Sequence, residues 1–552
     1  MSARRLGAWA AESRARAGAG GHASPGAGEA MWQATQRGGD TGWQGHSRRP
    51  EGLALQWRAC GVARLAQAGS LRCASRLACA PLQARRGPAG SLPPRLLVAV
   101  ALAALLGGCM SMAPDYQRPA APVAAQFPYA DGGAAGVPAA QLDWHAMFRD
   151  VRLQRLIDAA LAHNRDLRIA VLNIETARAQ LGLSRADELP TVNLAVAGSR
   201  QPGTNGGIAS LYTAGFAVSA YELDLFGRIR SLTDAALAQL AASEEARKAV
   251  QISLVASVAN LYYAIAGDDE LIALTQRTLA TREESLRLTR LRYDNGVISE
   301  LDLQLAQSLV EGARVVLVQQ RRQRALDLNA LEQLIGQPLP AELPPPAAWD
   351  TSVLPDVPAG LPSDVLLARP DVLAAEGQLR AANANIGAAR AAFWPRISLT
   401  ASVGTASTEL SGLFQGSGWT FAPQLVLPLF DAGRNRANLQ GTEAGRDIAV
   451  AQYERAIQAA FRDVADALAG RATLEDQLRA QQAQADAEAA RYRLSTLRFE
   501  HGVASSLELL DAQRSLFVTQ TAVVQTQLAL IQNRIAVFRS LGGGWAGASA
   551  GG

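Results

Sequence analysis

Two stretches of this chain, 206 positions apart, spell nearly the same pattern, and that repetition limits what the polypeptide can become. Leu291, Arg292, Tyr293, Gly296, Val297, Ser299, Leu301, Asp302 and Leu303 return as Leu497, Arg498, Phe499, Gly502, Val503, Ser505, Leu507, Glu508 and Leu509. Pro190, Val192 and Leu194 return 205 positions on as Pro395, Ile397 and Leu399. Leu225-Phe226 returns after 204 as Leu429-Phe430, and Gly227-Arg228 after 206 as Gly433-Arg434. Small drifts over such distances describe an old duplication with short insertions. Whatever one half folds into, the other should fold into as well.

Each half reads in the same order. A helical run (151–187; 364–392) stops ahead of the proline that opens an extended segment. There Val192, Leu194 and Val196 alternate with Asn193, Ala195 and Ala197, and Ile397, Leu399, Ala401 and Val403 alternate with Ser398, Thr400 and Ser402. Beyond a Gly/Ser-rich loop, Tyr212, Ala214, Phe216 and Val218 mark one partner strand, and Trp419, Phe421, Leu425 and Leu427 the other. Four segments of period two, roughly ten residues each, have the length and alternation of tilted membrane strands, apolar toward lipid and polar toward a lumen. After each pair proline vanishes, from 203 to 337 and from 429 to the end. Val250, Leu254, Val258, Leu261 and Ile265, like Ile457, Phe461, Val464 and Leu468, then recur at helical spacing. Helices over 227–293 and 433–499 would each run ~100 Å. Alanine fills the rest of their surface, which suits close packing of long neighbours.

These helices should turn back on themselves. Gly296 and Gly502 stand where a helix C-terminus favours a residue tolerant of positive φ. Ser299 with Asp302, and Ser505 with Glu508, follow with the spacing of a capping box that starts a return helix. The same glycine, gap and box in both halves predict two tight helical hairpins. The strands carry a different message. Four cannot close a barrel, since the smallest need about eight. An open edge in lipid leaves unpaired backbone at several kcal/mol per group. The chain is therefore expected to assemble, and three copies supply twelve strands and a lumen.

The N-terminal part reads differently. Residues 1–95 hold fourteen Arg, no Lys and four acids, a net of +10, so 96–552 carry −6 of the overall +4. The positive charge sits in the leader, and the rest of the chain offers no electrostatic case for nucleic acid. Leu96 to Leu106 is an unbroken apolar run ending in Gly107, Gly108 and Cys109. Eleven such residues cover ~16 Å as a helix, too short for ~30 Å of hydrocarbon, and describe a signal peptide over 95–108. Leu-Gly-Gly-Cys is similar to a lipobox, which makes Cys109 the lipidation site and the mature N-terminus. Met110 after it fits sorting to the outer membrane. Residues 1–94, low in acids and without a periodic apolar face, are expected to be an extension ahead of the true start. The other cysteines, Cys60, Cys73 and Cys79, all lie there, so no disulfide is available after Cys109.

Lipobox, strand pair, long helix and glycine-turned hairpin, repeated twice, resemble the TolC-like outer-membrane efflux proteins. The likeness is greatest to the NodT and OprM type of lipoprotein that serves resistance-nodulation-division pumps. It spans about 109–542, and its most specific piece runs from Phe499 through Asp511 and Arg514. The resemblance implies an α+β membrane protein: a homotrimer with a twelve-stranded barrel, four strands per chain, above a long α-helical periplasmic barrel. It divides the chain into repeat one (109–337), a Pro-rich equatorial linker (338–362), repeat two (363–542) and a Gly-rich tail (543–552). It also implies a constriction at the periplasmic end of the tunnel, falling here on Leu507 and Asp511 with Arg514 beside them. These lie at i, i+4 and i+7, on one helix face. Three Leu507 would form an apolar plug and three Asp511 an anionic collar paired with Arg514. Glu508 is shared between cap and gate, and Glu300 and Asp302 of the first hairpin are candidates for links between helices. Ala504 stands where some relatives carry a polar gate-linking residue, so that link is not expected.

The implied function is a passive, gated outer-membrane duct that takes small molecules such as drugs from a periplasmic adaptor and an inner-membrane pump. Ducts for heavy-metal efflux or type I protein secretion share the same pattern, and a non-conducting structural lipoprotein would explain the anchor and helices but not the strands. An enzyme is not expected. His145, His163 and His501 are isolated, and after Cys109 no metal-ligand spacing, phosphate loop or nucleophile elbow occurs. Asp224 and Asp431, at strand-to-helix corners, read as caps, and no cofactor is implied.

Overall fold

A computed structural model describes residues 111–129, 143–202, 206–340, 342–345, 349, 354 and 363–544. The leader, the signal segment with Cys109, most of the 338–362 linker and all but the first two residues of the tail lie outside the described residues. Within them each repeat contributes helix, strand pair, long helix and return helix. Repeat one runs α1 (Val151–His163), α2 (Arg165–Ala186), β1 (Val192–Pro202), β2 (Ile208–Leu223), α3 (Arg228–Asp294) and α4 (Glu300–Ile335). Repeat two runs α5 (Pro370–Ala391), β3 (Arg396–Ser407), β4 (Gly418–Val426), α6 (Arg434–Glu500) and α7 (Ser506–Ser540).

The expected run 151–187 is two helices. Asn164 leaves the helical region at φ −60°, ψ 134°, its Oδ1 accepts from Leu167 N at 2.9 Å, and its Nδ2 donates to Leu334 O at 2.8 Å. One side chain thus starts α2 and satisfies a carbonyl at the end of α4, a tertiary reason that no local pattern contains. The run 364–392 likewise resolves into a 3₁₀ turn, Ser363–Ala368, and a helix opened by Pro370, whose missing N–H costs nothing at the first position.

The four strands form one antiparallel sheet in the order β1-β2-β3-β4, so the two repeats join through β2 and β3. Register explains the alternation. Leu194 faces Phe216, Phe216 faces Val403, and Val403 faces Trp419; Val192, Val218, Ala401 and Phe421 make the next row. These rows build a continuous apolar face, with Leu194, Val403 and Trp419 at 70, 59 and 78 % exposure. The opposite face is small and polar, with Ser402 and Thr420 hydrogen-bonded across it at 2.7 Å. A bulge between Val218 and Tyr221 puts Ala220 at φ +51° and keeps Tyr221 and Leu223 in register with Leu399 and Ile397. Leu427 lies one residue past the end of β4. Among the described residues β1 and β4 have no partner on their outer edges.

α3 and α6 are each 67 residues long. Asp224 caps the first by accepting from Arg230 N at 2.8 Å; Asp431 caps the second through Gly433 N and Asn435 N, both at 2.9 Å. The main core sits around their middles. Val258, Ile457, Val464, Leu153, Ile157, Ile335, Ile535 and Phe538 are buried there together with Phe127 and Trp144 from the N-terminal segment. Closer to the sheet, α3 and α5 pack through Ala235, Ala381 and Ala384, and a Cβ on Gly377 would stand 2.8 Å from that of Ala242. Small residues set that approach, as the alanine content predicts.

Candidate functional site: the two hairpin tips

The ends of α3 and α6 farthest from the sheet are built alike. Gly296 and Gly502 both take φ +73° with nothing within 4 Å of an added Cβ, so backbone geometry alone selects glycine. Gly296 N donates to Tyr293 O and Val297 N to Arg292 O; Gly502 N donates to Phe499 O and Val503 N to Arg498 O. This is a Schellman ending in both cases. Ser299 and Ser505 then cap the return helices by accepting from Asp302 N and Glu508 N, each at 3.3 Å. His501 is the residue before the turning glycine and serves as a backbone cap.

The expected second capping box is only half formed. In repeat one Asp302 completes the box by accepting from Ser299 N. In repeat two Glu508 turns away from Ser505, toward Arg498 Nε at 3.5 Å and Ser495 Oγ at 3.4 Å. The longer glutamate reaches α6, and a cation there outcompetes a neutral amide for its charge.

Leu507, Asp511 and Arg514 share the open face of α7, while Leu509, Leu510 and Gln513 are buried. Leu507 is 61 % exposed in the single chain. Asp511 Oδ1 accepts from Arg514 Nη2 at 2.7 Å, an i,i+3 pair within α7. Its Oδ2 accepts from Arg491 Nη2 of α6 at 2.6 Å, and Arg491 also reaches Glu488 at 3.1 Å. The hydrogen bond from Arg491, followed by that from Arg514, holds the Asp511 carboxyl below the ordinary carboxylate range. Sequence reasoning missed Arg491, although a signal existed: it lies eleven residues before Gly502 and Asp511 nine after, nearly equidistant from the turn of an antiparallel hairpin.

Two contacts join the tips of the repeats. Ser506 Oγ donates to Asp302 Oδ1, and hydrogen bonds from Ser299 and then Ser506 hold Asp302 below its usual pKa. The Arg292 guanidinium lies 4.3 Å from the centroid of Phe499. Asp302 reaches the second repeat through Ser506, whereas Glu300 is exposed and makes no side-chain contact of this kind among the described residues. The described residues include no cluster of three or more His, Cys, Asp or Glu side chains placed to hold a metal ion.

The chain is similar to known proteins over most of its length. The family model for outer membrane efflux protein matches residues 156–337 and 361–543, one segment per repeat. The Toluene efflux pump outer membrane protein TtgC of Pseudomonas putida is 48 % identical over 463 residues, 82 % of this chain and 96 % of the relative. Outer membrane protein OprJ of Pseudomonas aeruginosa is 47 % identical over 462 residues, 82 % of this chain and 96 % of its own. Among solved structures, the open state of the Neisseria gonorrhoeae MtrE outer membrane channel superposes with a TM-score of 0.73 at 41 % identity, covering 79 % of this chain and 99 % of that one.

Proposed function

The chain belongs to the outer membrane efflux protein family, and from that premise we propose that it is a lipid-anchored subunit of a homotrimeric duct gated at its hairpin tips. It is the outer-membrane channel component of an efflux pump. The observation that carries the trimer is the sheet itself: one continuous apolar face, a small polar face, and two free edges. In lipid those edges must pair, and pairing β4 of one copy with β1 of the next satisfies them. Two copies would give eight strands, whose interior side chains fill; three give twelve and leave a lumen. The helices continue beneath the barrel as the periplasmic tunnel.

The anchor fits the same placement. Asn383 Nδ2 donates to Pro114 O at 2.7 Å and Arg390 to Met112 O at 3.5 Å, which lays 112–114 along the end of α5 just before β3. Below them Glu376 is buried and gripped by Arg118 at 3.1 and 2.7 Å, Arg380 at 2.8 Å and Tyr116 at 3.0 Å. Burial alone would raise the Glu376 carboxyl, but these hydrogen bonds outweigh it and hold the group below its ordinary value. Cys109 stands three residues before Met112, within ~11 Å along the chain, so acyl chains at that position reach the membrane rim of the sheet.

At the far end, three copies of the Leu507, Asp511 and Arg514 face converge and close the passage, with Arg491 restraining Asp511 from behind. The resting tip is held by Asp302–Ser506 and Arg292–Phe499; separating the hairpins opens it. A periplasmic adaptor and an inner-membrane pump supply the energy and choose the cargo. Small apolar or amphipathic molecules such as solvents and drugs are the cargo that fits its relatives. The test introduces Val196→Cys and Phe421→Cys on the two free edges. An oxidised ladder ending at three subunits, with channels in planar bilayers, supports the duct. A ladder stopping at one or two subunits, or no conductance even after Asp511→Ala, would reject it.

A further inference from the structure

Between the two repeats lies a cavity that the duct reading does not use. It measures about 210 Å³ and is lined by α3 (Arg277, Thr281, Arg282), α6 (Tyr492) and α7 (Phe517, Gln520), with no acidic residue in its wall. Arg282 is 6 % exposed. Its Nη1 donates to Leu309 O at 2.9 Å, and its guanidinium carbon lies 5.2 Å from the Phe517 centroid. Nε is enclosed without a partner, and no carboxylate pairs with the group among the described residues. The acids beside it in sequence are committed elsewhere, Glu283 to Arg314 at 2.8 Å and Glu284 to Arg287 at 2.6 Å. Burial, with no compensating charge, accordingly lowers the Arg282 pKa.

A buried guanidinium without a counter-ion is unfavourable, and a carbonyl and an aromatic face offset that only in part. The unused edge, Nε with Nη2, is the one by which Arg118 grips Glu376 and Arg228 grips Glu222 in this same protein. Such an edge suits a carboxylate or phosphate; with Nε enclosed, Nη2 offers the direct hydrogen bond, and Nε joins it when the side chain shifts on binding. Arg277, 66 % exposed at its side chain and only loosely paired with Glu270 at 3.4 Å, adds a second positive charge at the mouth.

We propose that this cavity binds a compact oxyanion, a small carboxylate or phosphate, whose charge is balanced by Arg282 and steered by Arg277. The bound anion bridges α3 of repeat one to α6 and α7 of repeat two. From Arg282 to the turn at Gly296 is fourteen residues, or ~21 Å of helix, so the anion stiffens the pair of hairpins above their tips. The site stands on this chain's own residues and does not depend on the duct or its gate.

The experiment uses the full-length protein in detergent micelles with trifluoroacetate as probe, followed by ¹⁹F line width and competed with acetate and with inorganic phosphate. Saturable broadening that either competitor reverses is expected, lost in Arg282→Gln and weakened about fivefold in Arg277→Gln, with Arg287→Gln as the unaffected control. Should Arg282→Gln fail to fold, the exposed Arg277→Gln and the competition in the unaltered protein decide. Absence of saturable binding overturns the proposal, as does binding that survives Arg282→Gln. A cavity closed to added anion because an acidic side chain of a second copy already occupies it also overturns it, and cross-linking Arg282→Cys to that copy would reveal this.

Discussion

At the tip of repeat one Gly296 turns the chain and Ser299 caps the returning helix; 206 positions later Gly502 and Ser505 do the same at an identical φ of +73°. The side chains around the two turns then diverge. Where repeat two places Arg491, Asp511 and Arg514, repeat one has Ser285, Leu305 and Ser308 at the same offsets. Repeat one makes a stable hairpin without that charged triad, so holding a hairpin together does not require it. The first hairpin places its ion pairs elsewhere, Glu283 with Arg314 and Glu284 with Arg287, so only the second carries charge at these three positions, on a face that the single chain leaves open. The acid Asp302 meanwhile serves the cap and the link to Ser506, while its counterpart Glu508 has left the cap for α6. The turn is shared and the side-chain contacts are not: one tip links the repeats through Asp302, and the other carries the charged residues of the proposed gate.

The largest effect should come from breaking the charged tip. Asp511→Ala leaves Arg491 and Arg514 of every copy facing one another, and bilayer conductance is expected to rise about tenfold or more. Leu305→Ala at the matching place in repeat one should leave conductance within about twofold, and an equal rise there would break the comparison. Acid should do what the mutation does. Asp511 has its folded pKa depressed, so its contribution is present above the ordinary carboxylate value and is lost as pH falls below ~3.9 through the folded value. Conductance should therefore increase on acidification in that range, and Arg491→Gln should move the rise to higher pH.

Next in size is the shared turn. Gly296→Ala and Gly502→Ala each force a side chain into left-handed backbone, at a cost of about 1–2 kcal/mol, with no steric neighbour to modify it. Equal losses in thermal melts would show one device used twice; unequal losses would mean that one tip is stabilised by contacts of the assembly.

What the sequence made legible divides along the same line. The turns, the serine caps, the strand alternation and the long helices are local patterns, each written within a few residues and then written again. Contacts that depend on a neighbour were not. Asn164 divides a helix because it also serves Leu334, 170 positions away. The bulge at Ala220 arises where β2 meets β3 of the other repeat. Arg491 was overlooked although its distance from Gly502 nearly matches that of Asp511, because the pairing across the turn shows only when α6 is laid against α7. Leu507, Asp511 and Arg514 were singled out by the resemblance to a known family, and their spacing on one helix agreed with it.

A third contrast lies nearer the core. Asp268 of α3 is buried with Oδ2 unpartnered; burial first, and the carboxyl of Asp327 second, push it up to about 7. Repeat two has Leu474 and Asn533 at those offsets, and Asn533 simply donates to Ala467 O at 3.0 Å. The folded protein keeps this proton up to about pH 7, whereas an unfolded chain releases it near ~4, so stability should fall as pH rises across that window. Asp268→Asn should flatten the dependence and stabilise the protein at pH 8 by on the order of 1 kcal/mol. An unchanged slope in melting temperature against pH would remove Asp268 as its source.

The smallest expected difference separates the two caps. Asp302 accepts from Ser299 N at 3.3 Å and from Ser299 Oγ at 2.6 Å, in addition to Ser506. Glu508 offers its cap nothing but its backbone N–H. Asp302→Ala should therefore cost more than Glu508→Ala by about 0.5–1 kcal/mol, the worth of a completed box plus one side-chain hydrogen bond. Pairing Asp302→Ala with Ser506→Ala separates the two parts: the shortfall from additivity is the link between repeats, and the remainder is the cap. If Ser506→Ala accounts for the whole loss, the box contributes nothing and the two tips differ only in whom they hold. If it accounts for none, the repeats are joined at their tips by Arg292 and Phe499 alone, and replacing Phe499 with Leu should then loosen the hairpins as much as any change at Asp302.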